Sequence, residues 1–207
     1  MSYELNEKTV KKLINKPGEV RGVVFITDKE FIKSEDEKAI ERIEKKINSF
    51  NIDFNYSEFK NMEYYPLGLR AISLLAIAEE FEMNKKGVEN LGRFSPRVSF
   101  VIKFFMKHLI SMKKTFDQAS KLWKKHYTVG SLKARDYDSE KGELFLDLVN
   151  FKIHPVFCDY LKGYFAQIGE ITTNSSTQAS QINCVFSDQE GDKCTFKIVW
   201  NNSKKGK

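Results

Sequence analysis

Three cysteines are the residues of this sequence best suited to chemistry: Cys158, Cys184 and Cys194. Thiolates bind soft metal ions and act as nucleophiles. No two of them form a CxxC pair, so neither a four-thiolate zinc site nor a thioredoxin-type dithiol is expected. Their odd number, together with an N-terminus that lacks an apolar signal region, favours reduced thiols in a cytoplasm.

The last two predicted strands decide where two of these thiols lie. Even-numbered positions are apolar in both runs: Ile182, Cys184 and Phe186, then Cys194, Phe196, Ile198 and Trp200. This period of two predicts a hairpin with Gly191 in the left-handed position of a three-residue loop. Cys184 and Cys194 should then point into the core as neighbours. With Cys158 they could form a three-thiolate site, but free cysteine is commonly buried, so we expect inert burial and no metal.

A helix predicted over residues 156–169 carries Cys158 and a broad aromatic face. His154 and Pro155 open it, and His154 could cap its first turn. The ordinary interpretation is a core helix packed on the sheet. The alternative is that the same face lines a pocket for a small molecule, since such pockets combine aromatic walls with a few polar groups. The residues expected to line it are Phe104, Trp123, Phe157, Cys158, Tyr160 and Tyr164.

Histidines and carboxylates give weaker signals. A buried histidine could ligate haem iron, but His108 and His126 follow lysines at predicted helix ends and are expected to be exposed or to interact with the helix dipole at a C-terminus. The sequence contains no Walker loop, GxGxxG, GxSxG or HExxH motif. No pair of carboxylates stands in an apolar context suited to acid–base catalysis. We therefore expect neither an enzyme nor a bound cofactor.

The segments upstream must position this C-terminal part. We predict a helix over residues 5–13, a strand over residues 18–27, and a capping box at Ser34 and Glu37 that starts the next helix. The segment after Pro66 is apolar on most of its helical circumference, which predicts deep burial. Further helix boundaries are predicted at Asn84 (start), Gly92 (end) and Ser95-Pro96 (restart), and a last upstream helix over residues 115–126.

Composition sets the class of protein. The 207 residues are 41% hydrophobic and include 17 phenylalanines, enough for a substantial core. We divide the chain into an N-terminal extension (1–65), a ligand-binding-like domain (66–202) and a disordered basic tail (203–207). The formal net charge of +6 comes from lysines that are scattered and paired with glutamates, so we expect no nucleic-acid partner. No run of 18 apolar residues exists, which argues against a membrane span.

The order helices, two strands, helix, two strands predicts an α+β fold: N-terminal helices followed by ββαββ, a four-stranded antiparallel sheet with a helix packed across it. Residues 115–200 resemble the 4-vinyl reductase domain and its relatives, the haem-NO-binding domain and the lipid-binding subunits of the TRAPP tethering complex. The resemblance rests on LWKKHYTVGSL, LDLVNFKIHPVFCDYLKGYF, INCVF and CTFKIVW. The upstream YYPLGLRAISLLAIAEEF and VENLGRF resemble a myxobacterial paralogous family of unknown function.

The resemblance implies a cytoplasmic sensory or signalling module that binds a small hydrophobic molecule and is often a homodimer. It also implies that a haem-binding relative would need a proximal histidine and a propionate-binding YxSxR motif, which this sequence does not show. We therefore expect a non-enzymatic ligand-binding module. The alternatives are a scaffold or dimerisation domain with a solid core, and a haem-binding sensor.

Overall fold

Helices precede a four-stranded antiparallel sheet in residues 3–98, 112–187 and 191–201, the parts of the chain that this computed structural model describes. The helices are α1 (Glu7–Ile14), α2 (Val23–Asp36), α3 (Ala39–Asn48), α4 (Leu67–Glu80), α5 (Lys85–Val98), α6 (Met112–Asp117), α7 (Ala119–His126) and α8 (Val156–Thr173). The strands are β1 (Glu19–Arg21), β2 (Tyr64–Pro66), β3 (Ser131–Asp138), β4 (Glu143–Val149), β5 (Thr177–Asn183) and β6 (Lys193–Trp200). The predicted α+β class and the ββαββ order are confirmed.

The four-stranded sheet has the strand order β3-β4-β6-β5, so the two ribbons pair with each other through β4 and β6. Leu146 lies opposite Phe196 and Leu148 opposite Cys194. The alternating leucines of β4 are buried, as the period of two predicted. Helix α8 covers the same face of the sheet, where the ring of Phe165 meets that of Phe196 at 5.3 Å between centroids.

Strand β5 differs from its prediction. Its odd-numbered residues share the inner face with the even-numbered residues of β6, since Thr177 pairs with Trp200 and Ala179 with Ile198. Ile182 therefore faces outward and is 56% exposed, so its predicted inward position was wrong. The three-residue loop was also wrong, because β5 ends at Asn183 and β6 begins only at Lys193. Polar residues fill most of β5 and gave no apolar pattern to fix the register.

The predicted strand over residues 18–27 is mostly a helix. Only Glu19–Arg21 pairs as a strand, with β2, and α2 begins at Val23. Val23 and Phe25 of the Val-Val-Phe-Ile run are buried in the helical layer, where Phe25 stacks on Phe59 at 4.0 Å. Burial against neighbouring side chains has overridden the intrinsic strand preference of these residues.

Two further helix boundaries were wrong. Ser34 lies inside α2, where its hydroxyl donates to the Phe31 carbonyl, so it does not cap the next helix. Asn84 starts α5 as predicted, because its Oδ1 accepts from the backbone of Lys86 and Gly87. However, α5 continues through Gly92 and through Pro96 to Val98.

The prediction of deep burial for α4 is confirmed, because most of its residues are buried.

Glycine is needed at Gly92 and Gly163 for packing. A Cβ atom at Gly163 would overlap the Glu89 carbonyl oxygen, and one at Gly92 would overlap the Tyr160 carbonyl oxygen. The backbones of α5 and α8 therefore touch at these two positions, which we call the glycine crossing. This contact explains why Gly92 does not end its helix: it makes room for α8.

The core is shared by the helices and the sheet. Leu5, Leu13 and Phe25, from the predicted extension, are buried in the same cluster as Leu74 of α4 and Phe196 of β6. The predicted boundary at residue 65 stays a prediction, and the predicted tail (203–207) lies outside the described residues. None of the described helices is long and apolar enough to cross a membrane.

Candidate functional site

Three separate segments bring the cysteine side chains together. Cys158 lies in the first turn of α8, Cys184 in the turn after β5, and Cys194 near the start of β6. Their Sγ atoms all lie within 4.8 Å of one another, and those of Cys158 and Cys184 are 3.9 Å apart. Cys158 and Cys194 are buried and Cys184 is half-buried. We call these three residues the thiol cluster.

Hydrogen bonds within the thiol cluster shift the pKa values of Cys158 and Cys194 in opposite directions. The thiol of Cys158 and then the backbone N–H of Val185 stabilise a negative charge on Cys194, which lowers the pKa of Cys194 to about 6 despite burial. The same hydrogen bond, with burial, raises the pKa of Cys158. Gln181 lies against both thiols and favours their ionised forms. The cluster can therefore hold negative charge on sulfur near neutral pH.

The predicted proximity of Cys184 and Cys194 is confirmed, although Cys184 reaches its place by a different route. A register shift between Gln181 and Asn183 ends the regular ladder. The chain then turns, and the Ser187 N–H donates to the Cys184 carbonyl at 3.0 Å. The sequence predicted a strand face, whereas a turn directs this side chain toward Cys158.

The aromatic residues predicted to line a pocket separate into two groups. Trp123 stacks on Tyr127 at 4.3 Å and meets Phe151 edge-on at 5.0 Å, and Phe151 contacts Phe157 at 5.1 Å. Phe151 was missed by the sequence analysis, although it stands two residues after β4. That these rings line a ligand site stays a prediction.

The second group faces α5. The hydroxyl of Tyr160 donates to Ser95 Oγ at 2.8 Å, and its ring stacks with that of Tyr164 at 6.3 Å. Tyr160 is buried and Tyr164 half-buried. Phe104, the remaining predicted lining residue, lies outside the described residues.

A buried ion pair was missed by the sequence analysis. Arg70 of α4 and Asp28 of α2 are both fully buried, and Nη1 of Arg70 contacts Oδ2 of Asp28. Asp28 Oδ2 also accepts from Ser73 Oγ at 2.8 Å, and the hydroxyls of Ser73 and Tyr56 are 2.8 Å apart. The one available signal was a single arginine in a helix that is otherwise apolar nearly all round.

The guanidinium of Arg70 has N–H groups that make no hydrogen bond of suitable geometry to the described residues. Within the described ranges, its Nε and Nη2 have no hydrogen-bond partner in suitable geometry. The guanidinium lies 5.0 Å from the centroid of the Tyr160 ring and close to the hydroxyl of Tyr127. Burial raises the pKa of Tyr127, so this hydroxyl keeps its proton. Buried donors without partners are uncommon in native proteins and call for an explanation.

The two described histidines lie near helix ends. His154 Nδ1 accepts from the Val156 N–H at 3.1 Å, so its side chain satisfies the first N–H of α8, although Pro155 occupies the N-cap position. Burial, with Lys16 nearby, lowers the pKa of His154 to about 4. His126 is half-buried at the C-terminal end of α7, and burial followed by the charge of Arg21 lowers its pKa to about 4. His108 lies outside the described residues.

The hydrogen bond from Val156 to His154 predicts a loss of stability in mild acid. A histidine whose pKa falls from about 6.5 in the unfolded chain to about 4 in the folded protein binds its proton more readily when unfolded. Its contribution is therefore complete above about pH 6.5 and is lost as the pH falls toward 4. We expect His154→Asn, which keeps an acceptor, to reduce the drop in unfolding free energy between pH 7 and pH 4.5 by about 1–2 kcal/mol.

Urea unfolding at several pH values measures this drop. Ser187→Ala, an exposed change, serves as the control and should leave it unaltered. Equal pH dependence in wild type and His154→Asn would contradict the assignment.

Comparison with known proteins gives a fold. No family model matches the chain, and no curated protein sequence matches it. An H-NOX protein from S. oneidensis, in the Fe(II)NO ligation state, aligns with a TM-score of 0.66 at 11% identity, covering 88% of this chain and 99% of that one. The fold is that of the H-NOX domains. Unliganded Fe(II) H-NOX from K. algicida aligns with a TM-score of 0.64 at 8% identity, covering 90% of this chain and 100% of that one.

The H-NOX fold raises the question of haem, because these neighbouring proteins were solved in the Fe(II)NO and unliganded Fe(II) states. A haem iron is held by an axial imidazole or thiolate in a pocket that accepts a broad flat ring. In the described ranges, His154 directs Nδ1 to the N-terminus of α8, and His126 lies beside the positive charge of Arg21. The rings of Trp123, Phe151 and Phe157 pack edge to face. The two described histidines and these rings therefore give no haem site among the described residues, while the thiol cluster offers soft sulfur ligands to a metal ion.

Proposed function

We propose that this chain is a non-enzymatic sensory module with the H-NOX fold, and that its thiol cluster binds a thiophilic metal ion such as Zn²⁺. The observation that carries the proposal is the convergence of three sulfur atoms within 4.8 Å. Zinc–sulfur bonds of about 2.3 Å in tetrahedral geometry place two sulfurs about 3.8 Å apart. The 3.9 Å between the Sγ atoms of Cys158 and Cys184 is close to that spacing.

Three sulfur ligands leave one tetrahedral position for another group. Structural zinc sites use four protein ligands, whereas sites that react or exchange keep one position open. Cys184 is half-buried and gives the cluster its access to solvent. An ion held by these residues could therefore meet an incoming ligand or an oxidant, because metal-bound thiolates remain open to both reactions. This accessibility supports a sensory role.

The proposal predicts one Zn²⁺ per chain, bound through all three sulfurs. Each of Cys158→Ser, Cys184→Ser and Cys194→Ser should weaken zinc binding by more than about 100-fold. Changing a partner outside the ligand shell already costs about 10–100-fold, and these changes remove a ligand itself. Competition with a chromogenic chelator measures the affinity, and native mass spectrometry counts bound ions.

Ser180→Ala is the matched control, because Ser180 lies on β5, close in sequence to Cys184, and is exposed. It should bind zinc like the wild type. Zinc binding that survives replacement of all three cysteines would show that the metal lies elsewhere and would overturn the proposal.

A small hydrophobic ligand in the interior is a second proposal. It is supported by the aromatic surroundings of α8 and by the unpartnered donors of Arg70. The contiguous ring contacts equally suit a scaffold with a solid core. A rise in melting temperature on adding a hydrophobic ligand would indicate a binding domain, and no rise would indicate a solid scaffold. The proposed homodimer is tested separately, by light scattering.

A haem-binding sensor is supported by the iron states named for the structural neighbours. Titration of the purified chain with haemin, followed by absorbance, tests it directly. A sharp Soret band at one haem per chain would favour this function over the other two. The broad spectrum of free haemin would count against it.

A further inference from the structure

We infer that Arg70 is the anchor for the acidic group of an apolar ligand, most simply a carboxylate. This inference rests on the second proposal above, that the interior takes a hydrophobic ligand, and it names the polar group which that ligand must carry. It concerns residues that lie apart from the thiol cluster.

The orientation of the guanidinium supports the inference. Asp28 engages Nη1, while Nε and Nη2 make no hydrogen bond of suitable geometry among the described residues, although the Tyr127 hydroxyl lies near enough to the guanidinium to accept one. These two N–H groups point in parallel and match the two oxygens of a carboxylate. A second donor stands nearby, because the hydroxyl of Tyr127 lies close to the guanidinium.

The residues around Arg70 require the rest of the ligand to be apolar. Arg70 is fully buried in α4, whose neighbouring residues Leu67, Ala71 and Leu74 are also fully buried. One face of the guanidinium is covered by the ring of Tyr160. A molecule that reaches the free edge must therefore bring apolar groups into contact with this core, with its acidic group at the end.

Asp28 limits the strength of such an interaction. It already places one negative charge beside Arg70, so an anionic ligand adds a second to a buried site. Neutralising Asp28 should therefore strengthen the binding of an acid. Neutralising Arg70, by contrast, should weaken it, so the two residues of the ion pair are expected to affect the affinity for an acid in opposite directions.

Isothermal titration calorimetry of the full chain with dodecanoate and with dodecanol tests the inference. The two probes share a chain and differ in the head group. Wild type should bind dodecanoate at least about tenfold more tightly than dodecanol, since hydrogen bonds to charged groups are worth about 10–100-fold in affinity. Asp28→Asn should bind dodecanoate about tenfold more tightly again and leave dodecanol unchanged.

The double variant Arg70→Met with Asp28→Asn removes both charges together and so avoids an unpaired buried ion. It should bind the two probes equally, with circular dichroism confirming its fold. Equal binding of both probes by wild type would overturn the role of Arg70 while leaving the interior ligand proposal intact. Binding of neither probe would overturn both.

Discussion

Replacing Gly163 by leucine is expected to unfold the protein or to lower its free energy of unfolding by more than about 3 kcal/mol. The side chain would have to occupy space held by the Glu89 backbone, and backbone cannot turn aside as a side chain can. Helices α5 and α8 would have to separate, which would expose the buried residues packed between them. Urea unfolding followed by circular dichroism measures the change.

Gly87→Ala provides the matched control on α5. A Cβ atom there would meet the Cβ atom of Met83 at 2.8 Å, so Met83 must shift, but no atom of α8 is among its nearest neighbours. We expect a smaller loss than at Gly163, partly offset because alanine favours a helix more than glycine. Similar losses for the two variants would mean that the glycine crossing is not the cause.

Arg70→Met alone is expected to lower the free energy of unfolding by about 3–5 kcal/mol. The change leaves the carboxylate of Asp28 fully buried, with the hydroxyl of Ser73 as its hydrogen-bond donor. Adding Asp28→Asn should recover a large part of this loss, because an amide costs less to bury than an unpaired charge. Denaturant unfolding of the two single variants and the double variant gives the coupling energy.

Additive losses in this double-mutant cycle would contradict a direct ion pair. Lys60→Met is a suitable control, since Lys60 pairs with Glu63 at the surface, where both side chains are mostly exposed. Surface pairs of this kind contribute about 0–1 kcal/mol.

The sheet and the buried helix could be predicted because their residues carry strong periodic patterns. Leu144, Leu146 and Leu148 alternate cleanly, and α4 is apolar around nearly its whole circumference. Strand β5 could not be placed in register, because its polar residues gave no inward face. Helix α2 was mistaken for a strand, because burial decides the conformation of its β-branched run and burial is a property of the fold.

The candidate site was predictable in part for similar reasons. The meeting of Cys184 and Cys194 followed from their positions near paired strands, although the turn that directs Cys184 toward Cys158 did not. The pairing of Arg70 with Asp28 joins two helices with no shared sequence pattern. Only the spatial arrangement of α2, α4 and α8 reveals why an arginine is tolerated there.

The glycine crossing has a mechanical consequence for α8. Cys158 and Tyr160 lie within one turn of each other on this helix, and Tyr160 also contacts the backbone of α5 at Gly92. Two helices locked backbone to backbone cannot slide or roll past each other without losing that contact. A movement of Cys158 would therefore displace α5 and α8 together as one rigid body. The ring of Tyr160, which covers Arg70, would move with them.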